Sequence, residues 1–366
     1  MVEKSGADVI VELIGGSDGI ALKLCETAIA KGKSIVTANK AMIAHHGTEL
    51  ARAAETLGFH TAWMAETQHN PFLACALIAE HSQRLSLGTA IAVSFARSPA
   101  VMAHTAWDLA EHSQGRFHLG LGTQVRAHIE RRFGMPWPAS PVGKLREQIA
   151  AMRAFWANWQ TGAPLNQRGD HYKLTLTAPF FTPQPIEDSA IPIWIAGVNQ
   201  GLARLAGEVA EGFLVHPYHS DPYLQEHILP AIREGEQKSG RELGDTKIMV
   251  NAFVVTNEKE RAYARRQIAF YASTPSYRSV MAWHGWEEVA ERLSALAARQ
   301  RWDEMPALVG DEMLLAFATV TDEADVAAAL QARYGAFADR LTLYIPFIPG
   351  ERDDFWRSLT RQLNHV

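Results

Sequence analysis

The sequence predicts an α/β protein: a (β/α)8 TIM barrel with insertions at the C-terminal face and an appended N-terminal βα piece. Three observations carry this reading. Short β-rich runs alternate along the chain with longer stretches whose apolar residues recur at helical spacing, the mark of βα units and a parallel sheet. Nine strand candidates stand out, and counting from Ser34 gives the eight that a closed barrel needs. Three connections, Gly122–Ile191, Pro217–Thr246 and Asn257–Arg340, far exceed an ordinary βα loop, and in a barrel such insertions rim the face where active sites lie.

Taken in order, Val9–Ile14 is the surplus strand and Ser34–Ala38 the first of the eight. Asn39 can cap a helix running through Ala41, Leu50, Ala53 and Leu57 to a stop at Gly58. Strands follow at His60–Ala65 and Leu85–Ile91. Ser98-Pro99 then opens a helix that continues through Ala103 and Trp107 to Ala110, with proline at its first position. Further strands are expected at Arg116–Leu121, Pro192–Ala196, Gly212–His216, Lys247–Thr256 and Leu341–Pro346. The aromatic run Phe155-Trp156-Ala157-Asn158-Trp159 reads as a buried helix face.

Composition narrows the class. The chain has 366 residues, room for one large domain or two ordinary ones, with 47% apolar and 20% charged residues. That excludes a disordered or collagen-like protein. Apolar stretches stop short of the roughly 18 to 20 residues of a membrane span, and no secretory signal is recognisable. Two cysteines, Cys25 and Cys75, read as buried reduced thiols, so a cytoplasmic location is expected. With 35 basic against 40 acidic residues, a net charge of −5 advertises no nucleic-acid partner. No Gly-x-Ser-x-Gly elbow, Walker loop or GxGxxG turn occurs.

Four stretches in order carry a family likeness: Ala54–Glu66 (AETLGFHTAWMAE), Arg84–Ile91 (RLSLGTAI) with Arg97-Ser98-Pro99 after it, Ser113–Gly122 (SQGRFHLGLG), and Ile191–Gly197 (IPIWIAG) followed by Leu205–Gly212. From about residue 51 to the end the chain resembles the luciferase-like flavin and deazaflavin oxidoreductases, most closely a coenzyme F420-dependent branch. The resemblance implies a bacterial-luciferase-type barrel, a small-molecule substrate and coenzyme F420, with flavin mononucleotide (FMN) as the alternative. Relatives are often dimers, so a homodimer is expected; no membrane partner is.

The first 50 residues resemble a different family. Asp8–Gly16 (DVIVELIGG) and Gly32–Ala41 (GKSIVTANKA) match the two local signatures of the nucleotide-binding domain of homoserine dehydrogenases, in which the residue matching Lys40 lies at the catalytic centre. The phosphate turn that should precede Val9 is missing, as is the substrate half that should follow Glu55. Ser34–Ala38 and the helix to Leu57 have the order and length to substitute for the first βα unit of the barrel, leaving residues 1–32 appended. An assembly artefact or dead fusion is the other reading.

The resemblance also implies where a site would lie. Ala196-Gly197-Val198-Asn199 join a strand to a helix start, where backbone N–H groups and the helix dipole favour a cofactor phosphate; an ordinary turn is the bland reading. Glu66 and His69 follow the second barrel strand, where relatives place an acid and a histidine beside the reacting ring, so both are expected to be catalytic. Thr67 stands where relatives often have histidine, and a solvated loop histidine is the other reading of His69. Ala90 and Ile91 match a non-prolyl cis peptide that supports the ring in several deazaflavin relatives. Gly122, Thr123 and Gln124 should pass close to the cofactor. A sugar-phosphate dehydrogenase of this type has an acid where Val125 stands, which argues against a similar substrate. Arg97 reads as an anion holder or a solvated arginine. Gln267, Tyr271 and Tyr277 either cover the substrate or pack. His216 and His219 suggest a metal pair only weakly, and His216 reads as a rim residue; no metal is expected.

Two cofactor-dependent chemistries remain open. Deazaflavin would make the enzyme a dehydrogenase or reductase and FMN would allow monooxygenase chemistry. A homoserine-dehydrogenase-derived, NADP-binding fusion, inactive as such, and a non-catalytic barrel are the rivals.

Overall fold

The computed structural model describes residues 51–344 and 352–363, together with the backbone of the strands at 9–12 and 34–37. Residues 1–194 with 346–360 form one compact unit, and residues 195–345 with 361–366 a second. The fold class is the expected one, a parallel α/β sheet flanked by helices. Lys40, Cys25 and most of the helix expected after Asn39 lie outside the described residues; residues 51–56 are helical.

In the first unit, β1 (Val9–Glu12) and β2 (Ser34–Thr37) pair in parallel, Val9 beside Ser34 and Glu12 beside Thr37, and make a two-stranded sheet of their own. Among the described residues Ser34–Thr37 is paired with Val9–Glu12 and with no strand of the larger sheet. The physical reason is in the sequence: two β-branched runs separated by more than a dozen residues have the crossover length that parallel pairing requires. The larger sheet begins with β3 (Thr61–Met64) beside β4 (Ser86–Thr89), which pairs with β6 (Phe117–Gly122); a two-residue β5 (Ala92–Val93) continues along β6. A small hairpin joins β7 (Gln167–Arg168) to β8 (Lys173–Leu174). β9 (Ile193–Gly197) follows, anchored by the Leu119 N–H donating to the Pro192 carbonyl at 2.9 Å.

Helices pack on this sheet through faces legible in the sequence. Ser98 accepts from the Val101 N–H at 3.3 Å and caps the helix Pro99–His112, whose buried residues Met102, Ala103, Ala106, Trp107 and Ala110 recur at helical spacing. The Trp156 indole of the helix Pro141–Thr161 donates to the Ala103 carbonyl at 3.1 Å, and Phe155, Trp156 and Trp159 are buried as expected. The Ser113–Arg116 turn needs left-handed backbone at Gln114 (φ 55) and Gly115 (φ 77), and Asp188 packs where a Cβ of residue 115 would stand. Arg116 then donates to the Ala79 and Leu85 carbonyls and ties a helix end to the start of β4. Gly58 (φ 85) ends its helix as expected, and Thr360 of the helix Asp353–Leu363 donates to the Leu57 carbonyl.

In the second unit β10 (Gly212–Val215) runs parallel to β11 (Lys247–Val255). The nine residues of β11 serve two partners in succession: β13 (Arg340–Leu343) pairs with Met249–Ala252, and β12 (Ala318–Val320) with Phe253–Val255. All nine expected strands are present, while β5, β12 and the hairpin, at two or three residues each, are too short to show periodicity. The helices Gln200–Val209 and Leu229–Ser239 cross backbone to backbone. A Cβ at Gly207 would lie 2.0 Å from the Ile232 oxygen, and one at Gly235 2.0 Å from the Arg204 oxygen. The long insertion after β11 holds the helices Glu258–Ala272, Arg278–Trp283, Glu287–Ala298, Asp311–Phe317 and Val326–Tyr334. No described helix is long and apolar enough to cross a membrane.

Candidate active site

The first unit gathers Glu66, Ala90, Ile91 and Gly122 at the ends of adjacent strands. The Ala90 N–H donates to the Met64 carbonyl at 2.8 Å and the Glu66 N–H to the Ile91 carbonyl at 3.2 Å, which joins the segments after β3 and β4. The Ala90–Ile91 peptide is cis, at the bond to which the resemblance points. Gly122 is shaped by Ile91: a Cβ there would come within 2.7 Å of that side chain. Thr89 locks the level below, donating to the Gly120 carbonyl at 2.7 Å and accepting from the Gly120 N–H at 3.0 Å. Gln124 holds φ 59, and its side-chain oxygen accepts from the Val125 N–H at 3.0 Å.

Glu66 is drawn into a mostly buried ion pair. Its carboxylate accepts from the Val93 N–H at 2.7 Å and from both terminal nitrogens of Arg97 at 2.7 and 2.8 Å. The side chains are 7% and 15% exposed, so this is a mostly buried two-pronged pair. Buried Gln148 continues the network, accepting from the Ser94 hydroxyl and donating to the Ser94 and Arg97 carbonyls. Glu66 and Arg97 thus hold this loop together, and Arg97 is mostly buried rather than solvated. His69 lies on the same loop, exposed and with no hydrogen-bond partner among the described residues. The neighbouring Thr67 carbonyl accepts from Arg132. Sequence reasoning missed the triad Trp63, His118 and Trp194, in which the Trp194 indole donates to His118 Nδ1 at 3.1 Å. Its only signal was three ring residues on three separate strands.

In the second unit Ala196 and Gly197 end β9, Val198 is buried, and Asn199 opens the helix Gln200–Val209. A Cβ at Gly197 would stand 2.8 Å from the Leu202 Cβ, so glycine lets the strand end close on the first helical turn. Asn199 is a favoured capping residue, yet no side chain caps this helix. Its amide instead donates to the Ser276 carbonyl at 3.1 Å and its oxygen accepts from the Ser279 hydroxyl at 2.6 Å. Among the described residues the positive end of the helix is thereby left without a side-chain acceptor, the condition under which an anion binds.

Beyond β10 stands a cluster of rings that brings His216 together with Tyr271 and Tyr277, which the sequence left between covering the substrate and packing. His216 lies edge-on to Tyr271 at 4.7 Å and 5.0 Å from Tyr277, with Tyr218 stacked between Tyr277 and Phe317. His216 Nδ1 accepts the Tyr218 N–H at 3.1 Å, which leaves the ring proton on Nε2. Burial, helped by His219, pushes His216 down to about 3, so the imidazole is neutral at neutral pH. His219 is pushed down to about 4, chiefly by burial, and bonds to the His216 carbonyl and the Tyr334 hydroxyl. His216 is therefore not a simple rim residue but part of a cluster with Tyr218, Tyr271 and Tyr277. No group of three metal-ligating side chains occurs among the described residues.

Comparison with known proteins places this geometry in a family. An uncharacterized protein of Mycobacterium tuberculosis (strain ATCC 25618 / H37Rv) is 42% identical over 305 residues, which cover 80% of this chain and 89% of that one. The F420-dependent glucose-6-phosphate dehydrogenase of Mycolicibacterium fortuitum is 30% identical over 216 residues, 55% of this chain and 62% of that one. Among solved structures, the coenzyme F420-dependent tetrahydromethanopterin reductase of Methanopyrus kandleri shares the fold, with a TM-score of 0.73 at 19% identity over 98% of both chains. None of these relatives supports the homoserine-dehydrogenase resemblance of the first 50 residues. The match to the family itself runs over residues 30–340, and the chain belongs to the luciferase-like monooxygenases.

Proposed function

We propose that this chain is an oxidoreductase that uses coenzyme F420, or alternatively FMN, to move hydride to or from a small organic substrate. One observation carries the reading. The helix start at Gln200 follows a glycine turn and lacks a side-chain cap because Asn199 is drawn away to Ser276 and Ser279. That is a fit for a cofactor phosphate. Ala196, Gly197, Val198 and Asn199 would hold it, while it is the family resemblance that assigns Ala90, Ile91, Gly122, Thr123 and Gln124 to the ring. A bound deazaflavin supplies a carbon centre that exchanges hydride. His69, with no hydrogen-bond partner among the described residues, would hold or deliver a proton, and Glu66 keeps its loop in place through Arg97. The F420-dependent names among its relatives support this choice of cofactor, and the family's name supports the FMN alternative.

The test is a titration of the full-length protein with coenzyme F420, FMN and NADPH, followed by fluorescence. F420 binding without a response to NADPH is the expected result. FMN binding together with oxygen consumption would move the reading to monooxygenase chemistry. Binding of NADPH alone would overturn it in favour of the dehydrogenase resemblance.

A further inference from the structure

The ring cluster beyond β10 has a chemical character of its own. His216, Tyr271 and Tyr277 are each partly exposed, and Tyr218 is almost wholly buried. Tyr271 and Tyr277 lie 4.7 and 5.0 Å from His216 and 6.5 Å from one another, an arrangement that suits edge and face contacts with another flat ring. Their polar ends are not equivalent. The Tyr271 hydroxyl is occupied by Tyr344 at 2.8 Å. The Tyr218 hydroxyl is buried with no partner, and Nε2–H of His216 has none among the described residues. The cluster therefore offers a fixed donor at His216 and an orphaned phenol at Tyr218.

Among the described residues no Lys, Arg, Asp or Glu forms a hydrogen bond, ion pair or cation–π contact with these four rings. Burial holds the Tyr218, Tyr271 and Tyr277 phenols above their ordinary range, and His216 stays neutral. An anion or cation placed here would lose water without gaining a counter-charge. An apolar ring would lose little, and a single acceptor on it could take the imidazole N–H.

We propose that His216, Tyr271 and Tyr277 form the recognition surface for an uncharged, flat, aromatic or conjugated molecule carrying one hydrogen-bond acceptor. That this molecule is the substrate rests on the hydride-transfer reading above; its binding does not.

Three probes separate the terms: 2-acetylnaphthalene, 2-ethylnaphthalene and 2-naphthyl phosphate, each titrated into the full-length protein by fluorescence. The ketone should bind about tenfold more tightly than the hydrocarbon, the scale of one hydrogen bond, and the phosphate weakest of all. His216→Phe keeps a flat ring and removes the donor, so it should bring ketone and hydrocarbon level. Tyr277→Leu, on an exposed turn, should weaken both and carries the test if His216→Phe fails to fold. Tightest binding of the phosphate, or wild-type affinities in both variants, overturns the proposal. F420 titrated in parallel separates the two readings. The expected probe series without F420 binding leaves this surface standing and removes the hydride reading; F420 binding without the probe series does the reverse.

Discussion

At Glu66 a carboxylate that the sequence offers for proton transfer is taken up by three donors from a segment some 30 residues on. Removing one partner of a mostly buried pair leaves the other charge uncompensated, so Glu66→Ala should cost ~3–5 kcal/mol. Urea denaturation checks this, and adding Arg97→Met should cost much less than a second such loss because the orphan is gone. Histidine gives a pH signature. His219 is held at about 4 by burial against about 6.5 unfolded, so between these values the unfolded chain binds more protons. The stabilising neutrality of His219 is present above about 6.5 and is lost as pH falls toward 4, at up to ~1.4 kcal/mol per pH unit. His219→Gln should flatten the fall of Tm between pH 6.5 and 4; an unchanged slope would remove His219 from the account. Such roles were only half legible. Residue type marked Glu66 and His69, but the partners that decide between proton transfer and anchoring, Val93 and Arg97, meet Glu66 only in the fold.

Elements were read more securely than their uses. Long strands and capped helices such as Ser98–His112 follow from periodicity and capping chemistry, which act within a few residues. β12 is three residues long and exists because β11 is long enough to pair twice, a tertiary fact with no local pattern. The helix start at Gln200 shows both sides: the Gly197 turn was legible, whereas the diversion of Asn199 to Ser276 and Ser279 was not, because its partners lie some 80 residues away. A direct expectation attaches to this element. Gln200→Glu places a negative charge in the first helical turn, which the dipole favours, so Tm should hold or rise. The same charge should repel a bound phosphate and weaken F420 binding by about tenfold or more, roughly 1.4 kcal/mol. Unaltered affinity would take the phosphate away from residues 196–199.

At the scale of the whole molecule the unsettled matter is how the first 50 residues relate to the family fold. The larger sheet and its helices were legible because alternation repeats over nearly 300 residues, and repetition is what a single sequence displays best. A junction is not repeated, and the two resemblances overlap there: the family's match begins at residue 30, inside the segment that resembles a homoserine dehydrogenase. The strand pairing favours one arrangement. Since β2 has β1 as its partner in a separate sheet, residues 1–50 should come away as a piece, whereas deleting 1–29 would strip β2 of that partner and leave a β-branched strand with an open edge. The variant lacking 1–50 should therefore stay soluble and keep its cofactor affinity, and the variant lacking 1–29 should aggregate, as size-exclusion chromatography and the F420 titration would report. The opposite order, a soluble protein without 1–29 and an insoluble one without 1–50, would mean that Ser34–Thr37 belongs to the barrel sheet, as membership of the family from residue 30 predicts.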